Sequence, residues 1–493
     1  MSNSIESDAN LNVPWWQPVL FAALAGGMGW GIRGQYGHET GAMIAGLLVS
    51  LTLTLLLCPK ASALEIVRAV ALGTIAIGFG GSMTYGQTIG LTQNAPVIGN
   101  WEALRWGMLG LSIKGALWIG FAGVFLGMGL SGTRYRYWEL FLLLIAAVGI
   151  HTLGVYLLNR PFDPQQKALP AIYFSASWYW SPDADAATLK PRPEVWGGIL
   201  FALVMTIAYA GLWKKDGLAW RLALWGLLGG AIGFPLGQCL QAYHAWNPEV
   251  FQNGLWNTLC SHIEWSSPKD GVNWWNMMET TFGTTMGAAL GLGLWLNRRR
   301  IRPAEIAEAD VLPIPAELVL ITAHVTLLLN AEFLNAKIPG QMYGIGIAMG
   351  ILPIAAVING RWAPYLMVFL VTLIPIAGKT VLILVYENSA IDFASGWTIY
   401  GIIPIAIGLL LAIWFIAHST ALTGREFARR ALLLSVWTYF ILNWAVFRFP
   451  WPWTTWTSRT PNGIIFTVCV LALTGLALGL RGVDEAARSS EKP

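Results

Sequence analysis

Three glutamates, Glu39, Glu102 and Glu279, stand with His38 at polar breaks between long apolar runs of this chain. A carboxylate or imidazole in such a place can take a proton from a hydroxyl, so these four are candidate catalytic residues. Arg33, Arg105 and Arg448 occur at the same kind of boundary, where a guanidinium can clamp a phosphate through paired N–H donors. Amides lie among them. Gly-Gln recurs as Gly34-Gln35, Gly86-Gln87, Gly237-Gln238 and Gly340-Gln341, although the chain holds only 10 glutamines and 54 glycines in 493 residues. That usage would give about one such pair by chance. In the first three, a glycine (Gly26, Gly78, Gly229) lies eight residues before the glycine of the pair. A primary amide donates and accepts, which suits a sugar hydroxyl, a carbonyl or a file of waters. Capping the carbonyls of a helix end is its plainer use. Gln35, Gln87, Gln238 and Gln341 are therefore candidate substrate-binding residues, with Arg33, Arg105 and Asn276.

Lys114 and His324 fall near the middle of apolar stretches, and Glu332 lies near the end of one that reads His324, Asn330, Glu332, Asn335. A charge near the centre of a bilayer costs about 2.5–3.5 kcal/mol on insertion scales, so such groups face a cavity or each other. Lys114 and His324 are thus expected on a deeper path, with Glu332 at its mouth. A hydrogen bond to a neighbouring helix is the simpler role for His324, and an interfacial pair with Lys337 the simpler role for Glu332.

The elements that hold these residues are helices in a membrane. The chain is 55% hydrophobic and 11% charged, with mean hydropathy +0.56, where soluble domains carry about 25% charge. About fourteen stretches reach the length needed to cross a bilayer: 15–34, 39–58, 65–91, 103–131, 137–158, 194–213, 218–241, 275–297, 315–335, 341–359, 361–387, 395–418, 429–447 and 463–480. In lipid their backbones must satisfy their own hydrogen bonds, which predicts an all-α polytopic bundle. The first residues, Met1–Pro14, carry acids and no base, unlike a signal peptide. Lysines and arginines collect in alternate loops, at Lys60, Arg134 and Arg136, Lys214 and Lys215, and Arg298–Arg302. The positive-inside rule then puts both termini in the cytoplasm and the Gly-Gln pairs at the outer face of a cytoplasmic (inner) membrane. The run 298–314 reads as a cytoplasmic linker between a Gly-rich half, 1–297, with about eight spans, and a second half, 315–493, with about six.

Glycines three or four apart let helices approach closely. The similar helix starts Asn100-Trp101-Glu102 and Asn273-Trp274-Trp275-Asn276 suggest a two-helix hairpin repeated in parallel, a pattern known in transporters. Of the 27 tryptophans, some, such as Trp15 and Trp16, belong to interfacial belts, and others concentrate in the outer loops at 159–193, 242–274 and 448–461, a composition that suits a glycan or a lipid head-group belt. The first expectation is a transporter of a polar or amphiphilic solute, such as a sugar or lipid-linked glycan. The alternative is a cell-envelope enzyme that transfers a glycosyl or acyl group from a lipid carrier, and the third is a non-catalytic scaffold. Weighing against transport, the inner halves of several spans, such as 47–57, are almost wholly apolar. Membrane lipids and a small-molecule, glycan or lipid-linked substrate are the expected partners. No cofactor or oligomeric state is indicated. The four cysteines have no metal-ligand spacing, although Cys239 and Cys260 could pair outside the membrane. No HExxH, phosphate-binding loop or Gly-x-Ser-x-Gly occurs, and no basic stripe with interleaved aromatics points to nucleic acid.

Overall fold

The computed structural model describes residues 13–36, 39–81, 83, 85–174, 191–253, 272–303, 308–334, 342, 346–447 and 457–490. These residues are overwhelmingly helical, and their only β-pairings are two isolated bridges. Each of the fourteen apolar stretches read from the sequence contains helix. Nine described helices are long and apolar enough to cross a membrane, the shortest of them 18 residues, while Met43–Leu57 and Met349–Ile358 are apolar but shorter.

Six helices close into a ring. They are α1 (Trp16–Tyr36), α2 (Met43–Leu57), α3 (Ala63–Gly80), α5 (Trp101–Leu130), α8 (Ala219–Trp246) and α9 (Trp274–Leu296). Each packs on the next in the order α1, α2, α3, α5, α8, α9, and α9 returns to α1. Between them in sequence come the short α4 (Gly86–Gln93), then α6 (Tyr137–Leu158) and α7 (Trp196–Ala208). The ring is therefore three helix pairs, α1 with α2, α3 with α5 and α8 with α9, and one of the first three Gly-Gln pairs falls within or between the members of each. The recurring Asn-Trp starts are N-caps: Asn100 Oδ1 accepts from the Glu102 and Ala103 amides at 3.1 and 3.0 Å, and Asn273 Oδ1 from the Asn276 amide at 3.0 Å. Asparagine there satisfies donors that the first turn of a helix leaves open.

Glycine makes the seams. A methyl at Gly230 of α8 would land on the Gly115 carbonyl of α5, and one at Gly283 of α9 on the Gly26 carbonyl of α1. Backbones this close gain dispersion contacts that lipid cannot supply. Gly230→Ala is expected to cost about 1–3 kcal/mol, since two whole helices must separate to admit the methyl. Gly149→Ala on α6, with nothing within 4 Å, should be neutral or slightly stabilising. Thermal unfolding in detergent compares them, and equal melting temperatures would refute the seam.

The rest of the chain wraps this ring. The helix Ile314–Leu329 (α10) continues as a π-helical turn, Asn330–Leu334. Next come α11 (Leu352–Ile358), the composite helices Ala363–Glu387 (α12) and Phe393–Ala417 (α13), then α14 (Gly424–Phe447) and α15 (Thr460–Ser490). α14 lies on α2 and α3, and α15 on α1. At the end of the ring where α5 stops and α8 starts, Arg134 and Arg136 pair with Asp310, and Lys214 with Glu139 at 2.9 Å. The hydrogen bond from Arg134 holds the Asp310 carboxyl below the ordinary carboxylate range.

Two boundaries differ from the sequence reading. The stretch 65–91 is not one span: α3 stops at Gly80, and Gly86-Gln87 open the separate α4. The pair Gly237-Gln238 lies inside α8, which runs on to Trp246. The first is a break and the second a continuation, and apolarity alone registers neither.

Candidate functional site

At the other end of the ring a buried ion pair joins its first and last helices. Arg33, in the final turn of α1, donates to Glu279 Oε1 at 2.7 Å and to the Tyr85 hydroxyl at 2.5 Å. Trp275 Nε1 reaches the same Oε1 at 3.2 Å, and Tyr85 lies 3.4 Å from it. The guanidinium also lies over the faces of Tyr85 and Trp118, at 5.5 and 5.7 Å from the ring centres, a favourable place for a desolvated cation. Arg33 and Glu279 are 2% and 1% exposed, so each charge depends on the other.

The carboxylate is lopsided. Oε1 collects every donor, while Oε2 is buried and accepts no hydrogen bond among the described residues. Oε2 points at Gly34, in the space that any side chain there would occupy, and Gly34 itself is partly exposed. The neighbouring Asn276 donates to the Gly31 carbonyl at 2.5 Å, and its Oδ1 is likewise without a donor. Two buried acceptors on adjacent turns of α9 thus lack donors, which is costly unless a ligand or water supplies them.

Beneath the pair the ring is filled. Trp30 of α1 meets Trp118 of α5 at 4.9 Å and Phe282 of α9 at 4.5 Å, and Phe282 stacks on Phe234 of α8 at 4.7 Å. α1 and α5 are not neighbours in the ring, so this contact crosses its interior. Trp118 Nε1 anchors the layer to the Ile77 carbonyl of α3 at 2.7 Å.

A second buried pair lies beside α4. Lys114 donates to Glu194 Oε1 and to Thr88 Oγ1, both at 2.7 Å, while Glu194 Oε2 accepts from the Phe174 amide at 2.9 Å. One turn along α4, Thr92 Oγ1 accepts from Gln238 Nε2 at 2.7 Å. The Oε1 of Gln238 is buried without a donor. Lys114 is not on a path below the Arg33 cluster: it sits one turn, about 6 Å, nearer the Arg33 end than Trp118. The reason is that α5, at 30 residues, exceeds a membrane thickness, so its midpoint in sequence is not the middle of the bundle.

The structure gathers Arg33, Glu279 and Asn276 in one cluster, and Lys114 and Gln238 around α4. Gln87 stands at the edge, where its Oε1 accepts from the Arg192 amide at 3.1 Å. Glu102 and Arg105 are exposed on the first turns of α5 and join neither group by any described contact. His324 is buried on α10 among Ile321, Pro353 and Met367. Glu332 is half-buried against Gly378. His38 and Gln341, with Arg448 and Cys260, lie outside the described residues, as do the side chains of Gln35 and Glu39.

Sequence reasoning passed over Tyr85, Trp118, Trp275, Thr88 and Glu194. One signal was available: Arg33 and Tyr85, which both hold Glu279, are the residues immediately before the first two Gly-Gln pairs. Leu236, before the third, is exposed and breaks that pattern. No protein-family model, curated protein or solved structure matches the chain.

Proposed function

We propose that the Arg33 end of the ring is a one-sided site for a hydroxyl-bearing polar or amphiphilic solute, and that the protein is a membrane enzyme. In this reading Glu279 takes the proton of a substrate hydroxyl while a glycosyl or acyl group passes to that oxygen from a lipid carrier. The new bond forms at the hydroxyl oxygen, the bond to the carrier's oxygen breaks, and the carrier keeps its phosphate. Arg33 is spent on holding Glu279 by Oε1, so Oε2 is the acceptor. Lysines and arginines crowd the opposite end, which supports an extracytoplasmic setting for this site.

The observation that carries the proposal is the donorless Oε2 of a buried, oriented carboxylate. The aromatic layer below it and the glycine seams around it favour a site entered from one side over a conduit through the ring. Transport is the second reading, favoured by the other half of the chain. Among the described residues, five π-helical segments lie between Asn330 and Ile402, and Pro375 lies inside α12. Irregular helices of this kind often mark functional sites and accompany solute sites in transporters.

Purified protein in vesicles, supplied with lipid-linked sugar or acyl donors and a polyol acceptor, separates the readings. Product formation without uptake is expected. Uptake without product would replace the enzyme with a transporter, and neither activity would leave a scaffold.

A further inference from the structure

The arginine-rich end of the ring holds a cleft of about 580 Å³, a size usual for small-molecule sites. Lys215, Arg221, Arg299, Arg300 and Arg302 line it, against one carboxylate, Asp216. That carboxylate is already occupied. Its Oδ2 accepts from Ser131 at 2.6 Å and Tyr135 at 2.7 Å, and its Oδ1 from the amides of Leu218 and Ala219 at 3.0 and 2.9 Å. Among the described residues, none of the five cations pairs with a carboxylate, whereas Arg134, Arg136 and Lys214 nearby all do.

The positive-inside rule asks for cations at this end but not for their convergence. Here they converge. A Cβ at Gly217 would lie 3.0 Å from Arg300 Nη1 and 3.1 Å from Arg221 Nη1, which donates to the Gly217 carbonyl at 2.9 Å, so two guanidiniums flank one glycine and the backbone orients one of them. Lys215 adopts φ 54°, a left-handed conformation that favours glycine, yet it keeps a charged side chain at the rim.

We propose that this cleft binds a phosphate-bearing anion, with Arg221 and Arg300 as its principal clamp and Lys215, Arg299 and Arg302 neutralising the remaining charge. Forked N–H donors and no competing carboxylate are what a phosphate requires. The phosphate can belong to a soluble molecule or to an anionic lipid head group, and the experiment distinguishes them. Full-length protein in phosphatidylcholine nanodiscs is titrated with inorganic pyrophosphate by calorimetry. Nanodiscs containing phosphatidic acid are examined in parallel for retained lipid by native mass spectrometry.

Pyrophosphate binding alone assigns a soluble ligand, and phosphatidic acid retention that pyrophosphate displaces assigns a head group. Arg221→Gln with Arg300→Gln should weaken the interaction about tenfold or more. Arg298→Gln should change it less than about twofold, because Arg298 lies over Trp295 at 4.1 Å and does not line the cleft. Absence of both interactions in the unaltered protein overturns the proposal, whether or not the variants fold. So does an equal loss in Arg298→Gln, which would mark a diffuse surface charge.

Discussion

Lys114→Met is expected to destabilise the protein by about 3–5 kcal/mol, because it leaves the Glu194 carboxylate buried without its cation. The pair is 1% and 0% exposed at its side chains, so water cannot take over. Adding Glu194→Gln to Lys114→Met should return most of that loss, since an amide still accepts the Phe174 amide hydrogen bond and carries no charge. Unfolding in detergent, followed for the two single variants and the double, measures the coupling. Additive losses would show that the charges do not depend on each other and that Lys114 has another role. The same variants bear on function: an enzyme whose site lies at Glu279 should keep its turnover in any folded double variant.

Glu279→Gln is expected to lower product formation by about 10²–10⁴-fold, the usual contribution of a positioned proton acceptor. The variant also removes the buried Arg33–Glu279 ion pair, so lost folding could imitate lost chemistry. Gly34→Ala separates the two. It keeps both charges but puts a methyl where Oε2 now lies, which must swing the oxygen away from any substrate. If Gly34→Ala folds and retains full activity, Oε2 is not the acceptor and the enzyme reading falls.

Much of the helical frame was legible because apolar length is a one-dimensional property. Helix α6 spans Tyr137–Leu158, the very stretch read from the sequence. Breaks inside apolar runs were less visible: α3 and α4 read as one element because residues 81–85 are as uncharged as their flanks. The glycines announced close packing correctly, since seams need only small residues at helical spacing. The glutamines did not reveal their partners, because an amide is equally at home on a threonine, as Gln238 is, or on a loop amide, as Gln87 is. Pairings were the hardest part. Nothing local links Arg33 to Glu279 or Lys114 to Glu194; the first pair exists only because the ring closes, and the second only because the segment before α7 returns to α5.

That closure has a consequence for how the chain is made. Arg33 precedes its carboxylate by 246 residues, and the final wall of the ring, α9, is the last of the six to emerge. At about 5–20 residues per second, roughly 12–50 seconds of synthesis separate the two. During that interval a strong cation at the end of α1 has no Glu279 to meet. Until α9 arrives, the burial of Arg33 against Glu279 cannot be completed, so this end of the ring is a late part of the fold to form.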